Sequence, residues 1–209
     1  FIFTEVLIFL SGERTAFFFI NLTAIFMILF LKNYKKLRIT TLILSLLAIF
    51  LITLINPLSS KRIITQTLEE MNIGSLFLSD EERIEKKVIF TEQHTDHYLT
   101  SINILKDNYV FGVGVKNFRK FCKNEKYRIS VISCSTHPHN TYIQLLAETG
   151  IFGFMFLFSL LLIFCYYIFN HAKGLLENKS LFSDFQICLL SSVLITLWPI
   201  SPSGNFFNN

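Results

Sequence analysis

Charge is scarce in this chain: Asp, Glu, Lys and Arg together supply 16% of its 209 residues, against about 25% in ordinary soluble domains. Glycine (8) and proline (4) are few as well, which excludes collagen-like and linker-like sequences, and a 52% hydrophobic share excludes a disordered chain. Cysteine occurs only 4 times and never as a closely spaced pair, so the usual spacing of a structural zinc site is missing. A one-signed stripe is missing too. The formal charge of +4 arises from interspersed bases and acids, which sets DNA and RNA binding aside.

What the chain has instead is long uncharged runs rich in its 24 phenylalanines. Residues 15–31, 39–60, 149–172 and 185–209 hold no Asp, Glu, Lys or Arg, and each is about as long as the ~20 helical residues that cross a ~30 Å hydrocarbon layer. Between the second and third runs, residues 57–138 carry 12 of the 19 basic and 10 of the 15 acidic side chains. The expected fold class is an all-α, polytopic integral membrane protein with a large extramembrane loop that contains helices. Its parts are membrane helices in 1–56, the loop in 57–138, and membrane helices in 139–209. A start in the apolar run FIFTEVLIFL reads as part of a longer polytopic protein.

Lys32, Lys35, Lys36 and Arg38 crowd the short connection after the first run, and short basic connections face the cytoplasm. The long loop is therefore expected on the outer side, and the third run returns inward to Lys173 and Lys179. Within the loop, near-helical spacing of Ile84, Val88 and Ile89, then Tyr98, Ile102 and Leu105, predicts helices over 61–72 and 80–107. Gly112 and Gly114 predict a tight turn or close backbone approach. Cys122 and Cys134 fall in the loop, where an oxidising compartment permits a disulfide; two free thiols are the alternative.

Two polar clusters open inward-running spans on the outer side: Ser11-Gly12-Glu13-Arg14 and His137-Pro138-His139-Asn140. Helix N-termini favour anions. The Arg14 guanidinium matches phosphate oxygens and suits a diphosphate leaving group; the plainer alternative is an anchor among lipid headgroups, with Glu13 as its partner. His139 is the candidate proton acceptor, since imidazole titrates near neutral pH, and Asn140 would orient it or donate to substrate. His137 and His139 also read as ordinary interfacial residues, and least readily as two metal ligands, since a third and fourth are lacking. His94 and His97 read as solvated. Glu148, a carboxylate at a membrane margin, needs a partner or water, and Gly150 and Gly153 leave room for a helix or lipid tail. A transporter would place ionisable residues near the bilayer midplane; the runs 15–31 and 39–55 contain none.

The stretch His139-Asn140, nine residues, then Gly150-Ile151-Phe152-Gly153 resembles the signature of the O-antigen ligase and polymerase superfamily. The order of parts is similar too: an Arg after a small-residue turn (Ser11, Gly12, Arg14), a long periplasmic loop, an approach to a Gly-x-Gly turn (Gly112, Gly114), then the His motif. The resemblance covers roughly residues 4–153 and the spans after them, as the C-terminal part of such a protein. It implies an inverting glycosyltransferase of the bacterial inner membrane, working at the periplasmic face without metal or other cofactor. The donor would be an undecaprenyl-diphosphate-linked glycan and the acceptor lipid A–core or another glycan. His139 would activate the acceptor hydroxyl and Arg14 would stabilise the departing diphosphate. Phe154 stands where the ligase pattern prefers Gly, Thr or Tyr, and Phe18 where it expects Leu; both departures bear on ligase against polymerase.

Overall fold

The computed structural model describes residues 1–70, 90–200 and 202–207, without the side chains of Ser59 and Glu70. Helices occur throughout and no strand occurs among the described residues. In chain order they are α1 (Ile2–Ser11), α2 (Arg14–Phe30), α3 (Lys35–Ile55), α4 (Pro57–Ser60), a π-helical turn (Lys61–Thr65), α5 (Gln66–Glu70), α6 (Glu92–Asp107), α7 (Phe118–Phe121), α8 (Thr141–Leu176) and α9 (Asp184–Thr196). Of the loop helices expected over 61–72 and 80–107, residues 71–89 lie outside the described part, with Ile84, Val88 and Ile89 among them; what is described begins again before α6.

Two of these helices, α3 and α8, are long and apolar enough to cross a membrane. Only 11% and 17% of their most apolar windows is buried, whereas the core helix of a soluble protein would hide most of such a surface. Such exposure suits helices that cross a membrane. The helices in the other two uncharged runs are shorter. α2 has 17 residues and α9 has 13, which at 1.5 Å per residue gives α9 about 20 Å. The run 185–209 was expected to span, yet its helix stops at Thr196, because Pro199 supplies no backbone N–H and disfavours helical geometry in Trp198 before it.

The chain forms two compact units. The first comprises Phe1–Thr67 and Leu162–Trp198. Here Phe9 of α1 packs with Ile49 of α3 and Ile63 of the π-helical turn, with Phe17 and Ile52 against them, and buried Glu5 accepts a short hydrogen bond from the Ser45 hydroxyl. Gly12 ends α1 in the left-handed region at φ 72°. The α2–α3 connection is held by Asp184, whose carboxylate accepts from the Lys32 and Asn33 backbone N–H groups at 2.9 and 3.1 Å. His171, nearly sealed from solvent, accepts at Nδ1 from Phe182 N–H (3.1 Å) and so donates from Nε2 to the Phe30 carbonyl (3.0 Å). The basic segments 32–38 and 173–179 thus adjoin one end of this unit.

The second unit comprises Leu68–Leu161 and Pro199–Asn209. Its core is Ile104 of α6, Phe118 of α7, Cys122, Tyr127 and Ala147 of α8, with Val113, Phe121 and Cys134 packed on it. A disulfide joins Cys122 to Cys134. Within α8 the helix breaks at Gly150 (φ 67°, ψ −160°), and residues 109–114 fill the break. Val113 N–H donates to the Ala147 carbonyl (3.0 Å), Gly114 N–H to Glu148 (2.9 Å), and Ile151 N–H to Tyr109 (2.9 Å). The predicted Gly112–Gly114 turn is this clamp: both glycines have positive φ. A Cβ on Gly112 would lie 2.4 Å from the Glu148 backbone, and one on Gly150 would lie 2.3 Å from the Val110 carbonyl oxygen.

Candidate active site

Arg14 is the first residue of α2 and half-buried. The turn before it is tight because Gly12 lacks a Cβ, and across that gap lies the Arg62 stem, whose Cδ would be 2.7 Å from a Cβ there. A second guanidinium chain therefore accompanies the Arg14 turn. Farther along α2, Leu22, Phe26 and Phe30 line an apolar cleft of about 420 Å³ with Phe164, Ile168 and Trp198. One helix thus offers a cation at its start and hydrocarbon contacts farther on.

The His-Asn motif lies in the second unit, at the head of α8. Asn140 caps the helix: its side-chain oxygen accepts from Ile143 N–H at 3.1 Å and its Nδ2 donates to the Pro199 carbonyl at 2.8 Å. Those bonds anchor the motif; they do not reach the His139 ring. His139 itself adopts the left-handed backbone region at φ 61°, an uncommon state for a residue with a Cβ. Its carbonyl accepts from Ser203 N–H at 2.8 Å, and its Nε2 shares a 3.1 Å hydrogen bond with the Ser135 hydroxyl. Ser203 also meets Thr141 (2.9 Å), and Asn205 accepts from Gln144 Nε2 (2.8 Å). Residues 202–207 therefore fold over the motif.

Three more imidazoles surround His139. Ring centroids lie 4.1 Å away for His137, 5.4 Å for His97, which is nearly parallel at 24°, and 5.7 Å for His94. His137 is buried and directs Nε2 to the Ser203 carbonyl (3.3 Å), with Nδ1 beside the Thr136 hydroxyl (2.9 Å). Burial, reinforced by His137, His97 and His94, pushes the His139 pKa down from 6.5 to about 4. His97 is lowered as well, first by burial and then by His94. His97 is fully enclosed and neither ring nitrogen has a hydrogen-bond partner; the Ile132 backbone lies nearby but outside bonding geometry. Neither His94 nor His97 is the solvated residue expected, because α6 turns both toward the His motif.

Glu148 is also buried, but its carboxylate is engaged in the scaffold. It accepts from Phe118 N–H and Gln144 Nε2, each at 3.0 Å. Gly150 leaves room for the 109–112 loop, and a Cβ on Gly153 would collide with the Thr149 side chain on the same helix. Among the described residues, no group of three or more His, Cys, Asp or Glu is arranged to hold a metal ion. Sequence reasoning missed Ser135, Arg62 and the cover made by residues 202–207. Only the i, i+3 spacing of His94 and His97, which puts both on one helix face, signalled their approach to the motif.

Long apolar helices with little of their surface buried, and a histidine cluster at the head of one of them, suit a protein that works at a membrane. Residues 1–158 match the family model described as O-antigen ligase, and the chain belongs to that family. No curated protein and no solved structure matches it. Membership makes it a glycosyltransferase-like enzyme of the ligase or polymerase type, in lipopolysaccharide biosynthesis, with a carrier-borne polysaccharide donor and a glycan or lipid acceptor.

Proposed function

We propose that this chain is the catalytic part of an inverting, metal-independent glycosyltransferase. It moves a glycan from undecaprenyl diphosphate to lipid A–core at the periplasmic face of the bacterial inner membrane. The observation that carries the reading is His139: an imidazole kept proton-free by burial and neighbouring imidazoles, with Ser135 fixing its ring. A base that is free at neutral pH can take the acceptor's hydroxyl proton as that oxygen attacks the anomeric carbon. The bond from that carbon to the diphosphate oxygen breaks, and the diphosphate leaves with the electron pair. Arg14 opposes the charge that grows there, where electrostatic stabilisation counts most. The cation at the start of α2 and the apolar cleft along it suit a ligand with an anionic head and a hydrocarbon tail. That both basic connections adjoin one end of the first unit supports a cytoplasmic placement for that end.

A polymerase, extending the carrier-linked chain, uses the same donor chemistry. Phe154, stacked on Phe158 at 5.4 Å where the ligase pattern prefers a smaller residue or Tyr, is the feature that favours it. Deleting the full-length gene in its host and analysing lipid A-linked and carrier-linked glycans separates the readings. Long polymer on the carrier with none on lipid A means ligase. Single repeat units on lipid A mean polymerase. Unchanged pools in both would overturn glycan transfer and leave a transport role, with Arg14 and His139 lining a path.

A further inference from the structure

With His139 as the base, the reading on which this rests, the ring lying nearly parallel to it is that of His97. We infer that His97 is a positioning residue: its ring is the buried wall against which the His139 imidazole is held flat and in its proton-accepting form.

The geometry supplies three arguments. His97 is wholly enclosed and its ring lies nearly parallel to His139, at 24° and 5.4 Å between centroids, so it limits rotation of the base about its side-chain bonds. It reaches no solvent, which makes it a support for the base and not a substrate contact. Both its nitrogens lack hydrogen-bond partners, and burial with His94 disfavours a positive charge there more than Asp96 and the Ile132 backbone favour one, so a proton arriving in the cluster is poorly received at both rings.

The groups facing the cluster agree with this. From α6 come His94 and Asp96, and Asp96 is occupied by a short hydrogen bond from the Ser130 hydroxyl. From the segment before α8 come His137 and Ser135. From the cover come the Ser203 carbonyl and hydroxyl. Asp96 is thus the lone carboxylate facing the cluster among these groups, and His97 adds another imidazole whose protonation would oppose that of its neighbours.

The test uses the full-length protein in membranes, with His97→Ala and His97→Phe. The Ala variant removes the wall. Its kcat should drop on the order of tenfold to a hundredfold, the scale expected for a displaced catalytic group, with KM little changed. The Phe variant restores a flat ring of similar size and should recover most of that kcat. It also removes a group that opposes protonation of His139, so the acid limb of its pH–rate profile should move to higher pH.

A readout independent of transfer is modification of His139 by diethyl pyrocarbonate, which attacks only the neutral ring, followed by peptide mass from acidic to neutral pH. In the Phe variant its onset should move to higher pH in parallel. An active Ala variant, a Phe variant as poor as Ala, or an unmoved pH dependence would each overturn the inference. A wild-type protein without transfer activity defeats the reading of function instead, and the modification profile still reports on His97.

Discussion

At the scale of single residues, the strongest expectation concerns His139. Replacing it with Ala should lower transfer by about 10²–10⁴-fold, the usual contribution of a positioned proton acceptor, while insertion and the level of protein in the membrane stay normal. Transfer at the wild-type rate would remove His139 from the chemistry. Arg14→Lys should also be impaired, since a point charge cannot reproduce the guanidinium fork; an assay with purified carrier-linked donor will show it as a lower kcat. Acidity adds a third test. Because His139 titrates at about 4 and not at its ordinary 6.5, its base form should persist into mildly acidic solution. Stability has the opposite trend over that interval. Between 6.5 and about 4 the unfolded chain binds a proton that the folded site refuses, so stability should decline as pH falls through it and be level above. Thermal unfolding across pH measures this.

Which residues could be picked from sequence follows from how they are placed. Arg14 and His139 stand beside apolar runs, where a polar side chain is conspicuous and a helix start can be inferred. His97 and Ser135 act through contacts that depend on how α6 and the 130–136 segment fold back, and a linear pattern carries no record of that. Asn140 is legible in part: its place in the motif marks it out, while its role as the cap of α8 depends on bonds to Ile143 and Pro199.

At the scale of elements, apolar runs located α2, α3 and α8 well, because a charge-free stretch has few alternatives to a helix in lipid. They failed for residues 197–200 and 202–207, where Trp198-Pro199 ends the helix and hydrogen bonds to Gln144, His139 and Thr141 supply another home. The break in α8 depends on two glycines that each need a left-handed backbone and an absent Cβ. Gly112→Ala or Gly150→Ala should therefore destabilise the protein by about 2–5 kcal/mol, combining backbone strain with overpacking. The melting temperature of detergent-solubilised protein is the measurement. A melting temperature equal to wild type would mean that the loop is not clamped as described.

At the scale of the whole molecule, sparse charge and long apolar runs announced a membrane protein, while its division into two units could not be read from composition. The first unit draws on two distant stretches of the sequence, and contacts between distant segments leave no local pattern. The Cys122–Cys134 disulfide belongs to this scale too, because it concerns when the protein becomes competent. Ser135, which holds the His139 ring, follows directly on Cys134. Closing so short a loop restricts the open chain by about 2–3 kcal/mol, so the ring's support should set only after both thiols have been oxidised. A newly made chain would be inserted and helical yet silent, acquiring activity through an enzyme-catalysed oxidation late in its biogenesis. Cells lacking their thiol oxidase should accumulate full-length, membrane-embedded protein that transfers little glycan until an oxidant is added.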